Sequence, residues 1–314
     1  MDRLRNAPRA PLVRRSGKAH NASMRYQGTV VRPPSEARSY LLQVTLGCSH
    51  NRCTFCGTYL DKPFRVRPEE EVLEDLALAG TRLPETRRVF LCDGNALVLG
   101  TGRLVRVLDA LDASFPLLGR VGIYANARDL LGKSDADLRT LCEKKLQIVY
   151  LGLESGSDEV LRRIDKGATA AEMVEAVHKA KRAGMRVSVI ALLGIGGADL
   201  SAQHAEATGR VVSAMDPHYL SMLTLMLVPG TTLHHQWRSG EFALMGPEAL
   251  LRELRQVVTH LDGLSRCIFR TNHASNYLPL AGTLARDKAR LLAVLDEALS
   301  GGGPALRPEE WRAL

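Results

Sequence analysis

Three cysteines stand close together early in the chain, with a wider gap between the first two than between the last two. They are Cys48, Cys53 and Cys56, in the spacing C-x4-C-x2-C. Thiolates are soft ligands that suit zinc and iron-sulfur clusters. Three thiolates on one loop can hold three irons of a cubane and leave the fourth iron open to another ligand. The spacing therefore predicts a metal centre with Cys48, Cys53 and Cys56 as its protein ligands.

A structural zinc site is the simpler alternative for this loop, and it needs a fourth ligand such as His50. Closed zinc sites usually combine two ligand pairs, whereas Cys92, Cys142 and Cys267 are single and fall on predicted core elements. Scattered cysteines without a secretion signal are typical of a reducing compartment, so we expect a cytoplasmic protein without disulfides. A zinc-knuckle nucleic-acid-binding module and an iron-sulfur electron carrier remain open as alternatives at this point.

The elements that must position the loop follow from the apolar pattern. From Tyr40 onward, short apolar runs alternate with segments of helical period, which predicts βα units and a parallel sheet. The predicted strands cover residues 40–45, 88–92, 120–125, 148–153, 186–193 and 219–228, and the predicted helices begin near residues 68, 102, 134, 157 (continuing from 169) and 199. A complete eight-unit barrel needs about 250 residues. The pattern therefore predicts an α/β fold with a partial TIM-like barrel of six βα units.

The pattern changes after Pro229. We predict a helix over about 247–261, a short strand over 267–271 and a helix over 284–299. These elements form a predicted C-terminal α/β extension that covers the barrel. The predicted organisation is a basic, flexible leader over 1–35, a barrel domain over 36–230 and the extension over 231–314.

The net charge of +8 is concentrated at the start of the chain. Residues 1–39 contain nine Lys and Arg residues against two acidic residues. The remainder is close to neutral, which argues against a broad nucleic-acid surface on the folded body. No apolar stretch approaches the roughly 20 residues that a membrane-spanning helix needs, so we expect no membrane association.

The segment from Gly47 to Tyr59 resembles the cluster loop of the radical S-adenosylmethionine superfamily. That loop usually has three residues in its first gap and an aromatic residue before the last cysteine. Here Phe55 supplies the aromatic residue, and the first gap is one residue longer. The segment 150–161, which reads YLGLESGSDEVL, resembles the fourth strand and following turn of the coproporphyrinogen-oxidase-like branch and of methylthiotransferases.

This resemblance implies cofactor-binding roles at the ends of the predicted strands. Asp93 and Asn95 would accept hydrogen bonds from the ammonium group of S-adenosylmethionine, and Gly94 would allow close backbone approach. Glu154 would bind the ribose hydroxyls, and Lys166 would pair with the methionine carboxylate. The same likeness places further residues near the cofactor, namely Phe55, Tyr124, Asn126, Ser155 and Leu193.

The function that the resemblance implies is radical chemistry at a 4Fe-4S cluster. One electron from the reduced cluster would cleave S-adenosylmethionine to give a 5′-deoxyadenosyl radical, which would abstract hydrogen from a substrate that the sequence does not identify. Whether the outcome is oxidoreductase, lyase or isomerase chemistry is open. The expected partners are an electron donor such as flavodoxin or ferredoxin and a small-molecule substrate, with no nucleic acid.

The polar segment 270–277 contains the candidate substrate contacts. The hypothesis is that His273, Asn276 and Tyr277 face the active site and are candidate catalytic residues. An equally supported alternative is a hydrogen-bonded turn that closes the open edge of the barrel.

Overall fold

The computed structural model describes residues 25–313. The strands and helices are, in chain order, β1 (Tyr40–Gln43), β2 (Thr45–Leu46), β3 (Arg65–Val66), α1 (Glu69–Arg82), β4 (Arg88–Cys92), α2 (Thr101–Ser114), β5 (Arg120–Ala125), α3 (Ala127–Leu131), α4 (Asp135–Glu143), β6 (Leu146–Glu154), α5 (Asp158–Arg163), α6 (Ala170–Arg182), β7 (Arg186–Leu193), α7 (Gly197–Met215), β8 (Tyr219–Thr224), α8 (Thr232–Ser239), α9 (Pro247–Thr259), β9 (Ile268–Arg270), β10 (Ala281–Thr283) and α10 (Lys288–Leu299).

The central sheet has eight strands in the order β1-β4-β5-β6-β7-β8-β9-β10. All neighbouring pairs from β1 to β9 are parallel, and β10 is antiparallel to β9. The short β2 and β3 form a separate antiparallel pair. The six predicted barrel strands are all present, and the predicted α/β partial TIM-like barrel is confirmed. Because the parallel strands end on the same side, their carboxyl ends form one edge, which we call the carboxyl edge.

Local sequence signals explain where several helices begin. Ser134 and Thr169 each accept a hydrogen bond from the backbone N–H three residues later, and an acidic residue bonds back in both cases. This reciprocal pairing satisfies donors that a helix start leaves free. This pairing sets the first residues of α4, which precedes β6 in the chain, and of α6, which follows it.

Two predicted boundaries are wrong. The strand β8 ends at Thr224 rather than at residue 228, because the chain then turns toward the cysteine loop, where Val228 packs against Gly57. The last helix begins at Lys288 rather than at residue 284, because residues 284–286 form a turn after residues 281–283, which pair with β9 as an added strand. Helix α8 and the β2–β3 pair were not predicted.

The predicted C-terminal extension contributes to the same core as the barrel. Strand β9 continues the parallel sheet beside β8, and Leu254, Phe269 and Leu291 belong to one buried apolar cluster with Leu42 of β1. In the described part of the predicted leader, Tyr26 donates a hydrogen bond to the Leu41 carbonyl at 2.7 Å. Residues 1–24 lie outside the described residues.

Within residues 25–313, no helix is long and apolar enough to cross a membrane. All six cysteines of the chain are free of disulfides. Of the three cysteines outside the loop, Cys92 and Cys267 are buried and Cys142 is half-buried.

A buried pair connects the extension to the end of β7. Glu253 of α9 accepts hydrogen bonds from the Gly194 amide at 2.6 Å and from the Ser201 hydroxyl at 2.5 Å. Its Oε1 lies 3.6 Å from Nε2 of His204. Burial raises the pKa of Glu253 to about 7 and lowers the pKa of His204 to about 4. The fold therefore favours the uncharged form of both side chains.

The first prediction concerns the Glu253→Gln variant. A carboxyl whose pKa is raised in the folded state stabilises less as pH rises from its ordinary value of 4.5 toward about 7. The glutamine variant does not have this loss. The free energy of unfolding of the variant minus that of the unmodified protein should therefore increase over this pH range, by at most about 3 kcal/mol. Urea denaturation followed by circular dichroism at several pH values measures this difference.

The exposed Glu297 provides the matched control. Glu297→Gln should leave the pH profile of stability as it is in the unmodified protein. A difference for Glu253→Gln that stays constant with pH would contradict the interpretation of a pKa raised by burial.

Candidate active site

Asn95, which follows β4, holds the start of the cysteine loop, residues 47–59. Its side-chain oxygen accepts hydrogen bonds from the Ser49 amide at 2.9 Å and from Cys48 Sγ at 3.6 Å. Its amide nitrogen donates to Ser49 Oγ at 2.9 Å and to Asp129 Oδ2 at 2.8 Å. The Asn95 side chain therefore connects the loop to β4 and to α3. Its predicted contact with the cofactor ammonium stays a prediction.

Gly94 brings the turn after β4 against the backbone of the cysteine loop. A Cβ atom at this position would lie 2.1 Å from the Gly47 carbonyl oxygen and 2.6 Å from the Cys48 Cα. The φ angle of Gly94 is also positive, at +35°, where side chains are disfavoured. Only glycine fits here without displacing the loop. The predicted approach of Gly94 to the cofactor stays a prediction.

Asp93 is fully buried and forms an ion pair with Lys62, whose Nζ lies 2.8 Å from Asp93 Oδ2. The same oxygen accepts hydrogen bonds from the Gly47 amide and from the Gln43 side chain, both at 3.2 Å. Burying a carboxylate requires such compensation. The pair therefore anchors the loop where it leaves β2. These contacts occupy one carboxylate oxygen, and the predicted role of Asp93 toward the cofactor stays a prediction.

Glu154 and Lys166 form a second buried ion pair at the carboxyl edge, with 2.8 Å between Oε1 and Nζ. The register of β6 against β7 shifts between Gly152 and Glu154, and Glu154 has a positive φ of 64°. A bulge of this kind changes the direction in which a side chain points. Gly152 gives the pair its space, because a Cβ there would lie 2.2 Å from Glu154 Oε1.

The three loop cysteines and Lys166 share one electrostatic environment. Burial raises the pKa of Cys53 to about 12, the Lys166 ammonium opposes this rise, and Cys56 and Cys48 add to it. Burial alone would lower the pKa of Lys166, but the charges of Glu154 and of the thiols outweigh it, so the pKa of Lys166 is raised. The charges of Glu154 and Lys166 and the titration of Cys53 therefore influence one another.

The three thiols of the loop are the type of ligand that an iron-sulfur cluster requires. The thiols of Cys48, Cys53 and Cys56 are free and half-exposed on one loop. Because the surroundings raise the pKa of Cys53, its thiolate form needs nearby positive charge, which bound iron provides. Among the residues that the structure describes, no three His, Cys, Asp or Glu side chains are grouped closely enough to hold a metal ion.

The other predicted cofactor residues lie in different surroundings. Phe55 packs against the buried apolar cluster that includes Ile195, and Asn126 begins α3. Ser155 is fully buried, with its hydroxyl 2.8 Å from His204. Leu193 is part of the main core at the end of β7. The structure brings Asn95 against Cys48 and Lys166 against Glu154, whereas the Ser155 side chain is directed toward α7. The grouping of the three cysteines around one cluster stays a prediction.

The barrel encloses a cavity of about 390 Å³, which we call the interior cavity. Tyr124 lines this cavity, and so does His273 from the predicted substrate segment. Asn276 does not line it. Its buried amide bonds to Thr224 and to the Met222 carbonyl, as expected for the alternative of a hydrogen-bonded turn. Tyr277 lies elsewhere, with its hydroxyl bound to Glu309 and Arg312.

Several residues of the site were not found by sequence reasoning. Lys62 is the partner of Asp93. Asp129 bonds to Asn95. His50 was considered only as a fourth zinc ligand, whereas its ring lies 2.6 Å from the Asp165 carbonyl oxygen, and Gly167 provides the space for that ring. None of these residues has a spacing that indicates its role, because each meets its partner across a loop or strand boundary.

Comparison with known proteins identifies the family. Residues 42–205 match the family model of the Radical SAM superfamily, which is more than half of the 314-residue chain. The chain therefore belongs to the Radical SAM superfamily. This membership confirms that the protein is an enzyme and that a 4Fe-4S cluster and S-adenosylmethionine are its cofactors. The alternatives of a zinc knuckle and of an electron carrier are not favoured by it.

The similar proteins are distant. An uncharacterized methyltransferase of Pyrococcus horikoshii is 26% identical over 200 residues, which are 62% of this chain and 40% of that protein. This chain thus matches only two fifths of its relative. Coproporphyrinogen III oxidase from Escherichia coli, a radical SAM enzyme, superposes with a TM-score of 0.54 at 14% identity, over 88% of this chain and 71% of that one.

Methylornithine synthase superposes with a TM-score of 0.51 at 18% identity, over 85% of this chain and 82% of that one. At these identities the two structures show a shared fold and no more. They support the partial barrel, together with the extension that follows it.

The second prediction tests the contact between Gly94 and the cysteine loop. In the Gly94→Ala variant the new methyl group would displace the loop, so most of the iron should be lost after anaerobic reconstitution. Iron and acid-labile sulfide per chain are the measurement, and circular dichroism confirms that the variant is folded.

Gly100→Ala is the matched control, because no atom lies within 4 Å of a Cβ at Gly100. It should keep the iron content of the unmodified protein. Equal iron in both variants would show that the close approach at Gly94 does not position the cluster ligands.

Proposed function

We propose that this protein uses Cys48, Cys53 and Cys56 to hold a 4Fe-4S cluster and generates a radical that abstracts hydrogen from a small molecule in the interior cavity. The observation that carries the proposal is the presence of three free thiols on one loop, together with the buried Glu154–Lys166 ion pair, in a chain of this superfamily. When bound together, the cluster and S-adenosylmethionine supply a 5′-deoxyadenosyl radical.

The residues around the loop would bind and orient the cofactors. The Lys166 ammonium would attract the methionine carboxylate, since it is largely buried and its charge interacts with those of Cys53 and Cys48. Glu154 would keep that ammonium in place and accept from ribose hydroxyls with its remaining oxygen capacity. Gly94 would give the methionine moiety access to the backbone at the end of β4. In this proposal the protein binds and orients the cofactors, and the cofactors supply the radical chemistry.

The interior cavity would hold the substrate. Its volume of about 390 Å³ lies in the range of small-molecule sites. Polar side chains from several strands line it, including Tyr124, Ser188 and Ser221, and His273 contributes from the segment after β9. We assign substrate contact to His273 and a structural role to Asn276.

The electron donor would approach the exposed side of the cysteine loop. Arg52 belongs to the loop and pairs with Asp165 at 3.6 Å, and Arg128 of α3 donates a hydrogen bond to Ser49 Oγ at 2.8 Å. These cations would favour an acidic redox protein such as flavodoxin or ferredoxin. Six free cysteines support a reducing compartment, and we propose the cytoplasm.

The third prediction tests the proposed function. With the anaerobically reconstituted protein, dithionite and S-adenosylmethionine, we expect 5′-deoxyadenosine, which chromatography with mass detection measures. Its formation should fall to background in Cys53→Ala, because the cluster loses a ligand.

Cys142→Ala is the matched control, since Cys142 is half-buried and distant in sequence from the loop. It should form as much 5′-deoxyadenosine as the unmodified protein. A reconstituted, unmodified protein that contains the cluster but forms no 5′-deoxyadenosine would contradict the proposed function and favour an electron carrier.

A further inference from the structure

The amino ends of the barrel strands surround a second cavity, of about 640 Å³. Five arginines line it, and we call them the arginine mouth: Arg87, Arg88, Arg120, Arg186 and Arg270. Strands β4, β5 and β7 each begin with one of these residues. In the parallel register, Arg88 lies directly beside Arg120. The sheet therefore gathers arginines that are far apart in the sequence.

The charge of the arginine mouth is mostly uncompensated. Arg120 is paired with the buried Glu36 at 2.7 Å. The other four arginines form no ion pair with any residue of 25–313, and no Asp or Glu lines the cavity. Arginine remains charged at any physiological pH. A concave surface with charges of one sign concentrates the field and attracts counter-charged ligands.

The cavity of the arginine mouth is continuous in its lining with the interior cavity. The two share Ser35, Tyr150, Ser188, Ser221 and Arg270. Arg270 thus lies between the space proposed for the substrate and the four arginines at the strand starts. A molecule with one end in the interior cavity could place its other end among these guanidinium groups.

We propose that the arginine mouth binds the anionic end of the substrate, and that this substrate is a small molecule with at least two negative charges on phosphate or carboxylate groups. Guanidinium groups bind both kinds of group through paired hydrogen bonds. A single negative charge would leave most of the four cations uncompensated. The assignment of this ligand as the substrate rests on the proposed function, whereas the anion site itself does not.

Calorimetry on the reconstituted full-length protein tests the inference, with fructose bisphosphate and tricarballylate as probes of the two chemistries and acetate as a singly charged comparison. The test variant is Arg88→Gln/Arg186→Gln. The matched control is Arg139→Gln/Arg238→Gln, which removes two exposed arginines of helices α4 and α8 and the same total charge.

We expect at least one of the two multiply charged probes to bind, and acetate not to bind. The test variant should bind that probe at least about tenfold more weakly, as expected for lost charge-assisted contacts. The control variant should bind as the unmodified protein does. The stronger of the two probes identifies phosphate or carboxylate as the preferred group.

Three results would overturn the inference. The first is no binding of either probe, which would make these arginines ordinary solvated surface residues. The second is equal weakening in both double variants, which would reflect net charge and not a site. The third is binding of single-stranded RNA that depends on Arg88 and Arg186 while neither small probe binds, which would assign the surface to a macromolecule.

Failure of the proposed function gives a different result. If the unmodified protein forms no 5′-deoxyadenosine but binds a probe through Arg88 and Arg186, the anion site stands and the radical mechanism is excluded. If it forms 5′-deoxyadenosine but binds no probe, the radical mechanism stands and the arginine mouth has no ligand of this class.

Discussion

The candidate active site depends on hydrogen bonds that hold an irregular loop against the ends of the parallel strands. Most of the segment that carries the three thiols has no strand or helix of its own, so its backbone groups must find partners elsewhere. The side-chain oxygen of Asn95 accepts from the Ser49 amide at 2.9 Å, and the Ile164 carbonyl accepts from the Thr54 amide at 3.0 Å. Because both partners belong to the barrel body, the geometry of the thiols follows the geometry of the barrel.

The two ends of the barrel differ in whether their charged side chains have partners of opposite charge. At the carboxyl edge, the buried Asp93 and Glu154 each have a lysine partner at 2.8 Å, and an unpaired charge there would be costly. In the cavity at the amino end, Arg87, Arg88 and Arg186 from this end, and Arg270 from the end of β9, have no acidic partner in the described part of the chain. At the carboxyl edge, the buried charges are already paired before any ligand binds. In the other cavity, unpaired guanidinium groups are available to bind an anion.

Much of the fold could be predicted because buried parallel strands have a local signature. A strand covered on both faces is a short apolar run, as in β4, and this pattern located all six barrel strands. The boundaries that were wrong depend on distant contacts. Strand β8 stops before the segment in which Val228 must meet Gly57, and the last helix begins late because a strand over residues 281–283 pairs with β9 and a turn follows it. The spacing of apolar residues along the sequence contains no information about such distant contacts.

By itself, the sequence determined the kind of chemistry: three thiols at cluster spacing, placed after the first of a series of buried strands. It also placed most of the net charge near the chain start, yet the arginines of the mouth are spread from residue 87 to residue 270. Only the tertiary structure decided that they converge, that Lys62 neutralises Asp93, and that a bulge directs Glu154 toward Lys166. Residue type and period are local properties, whereas the distance between remote side chains depends on strand register and sheet closure.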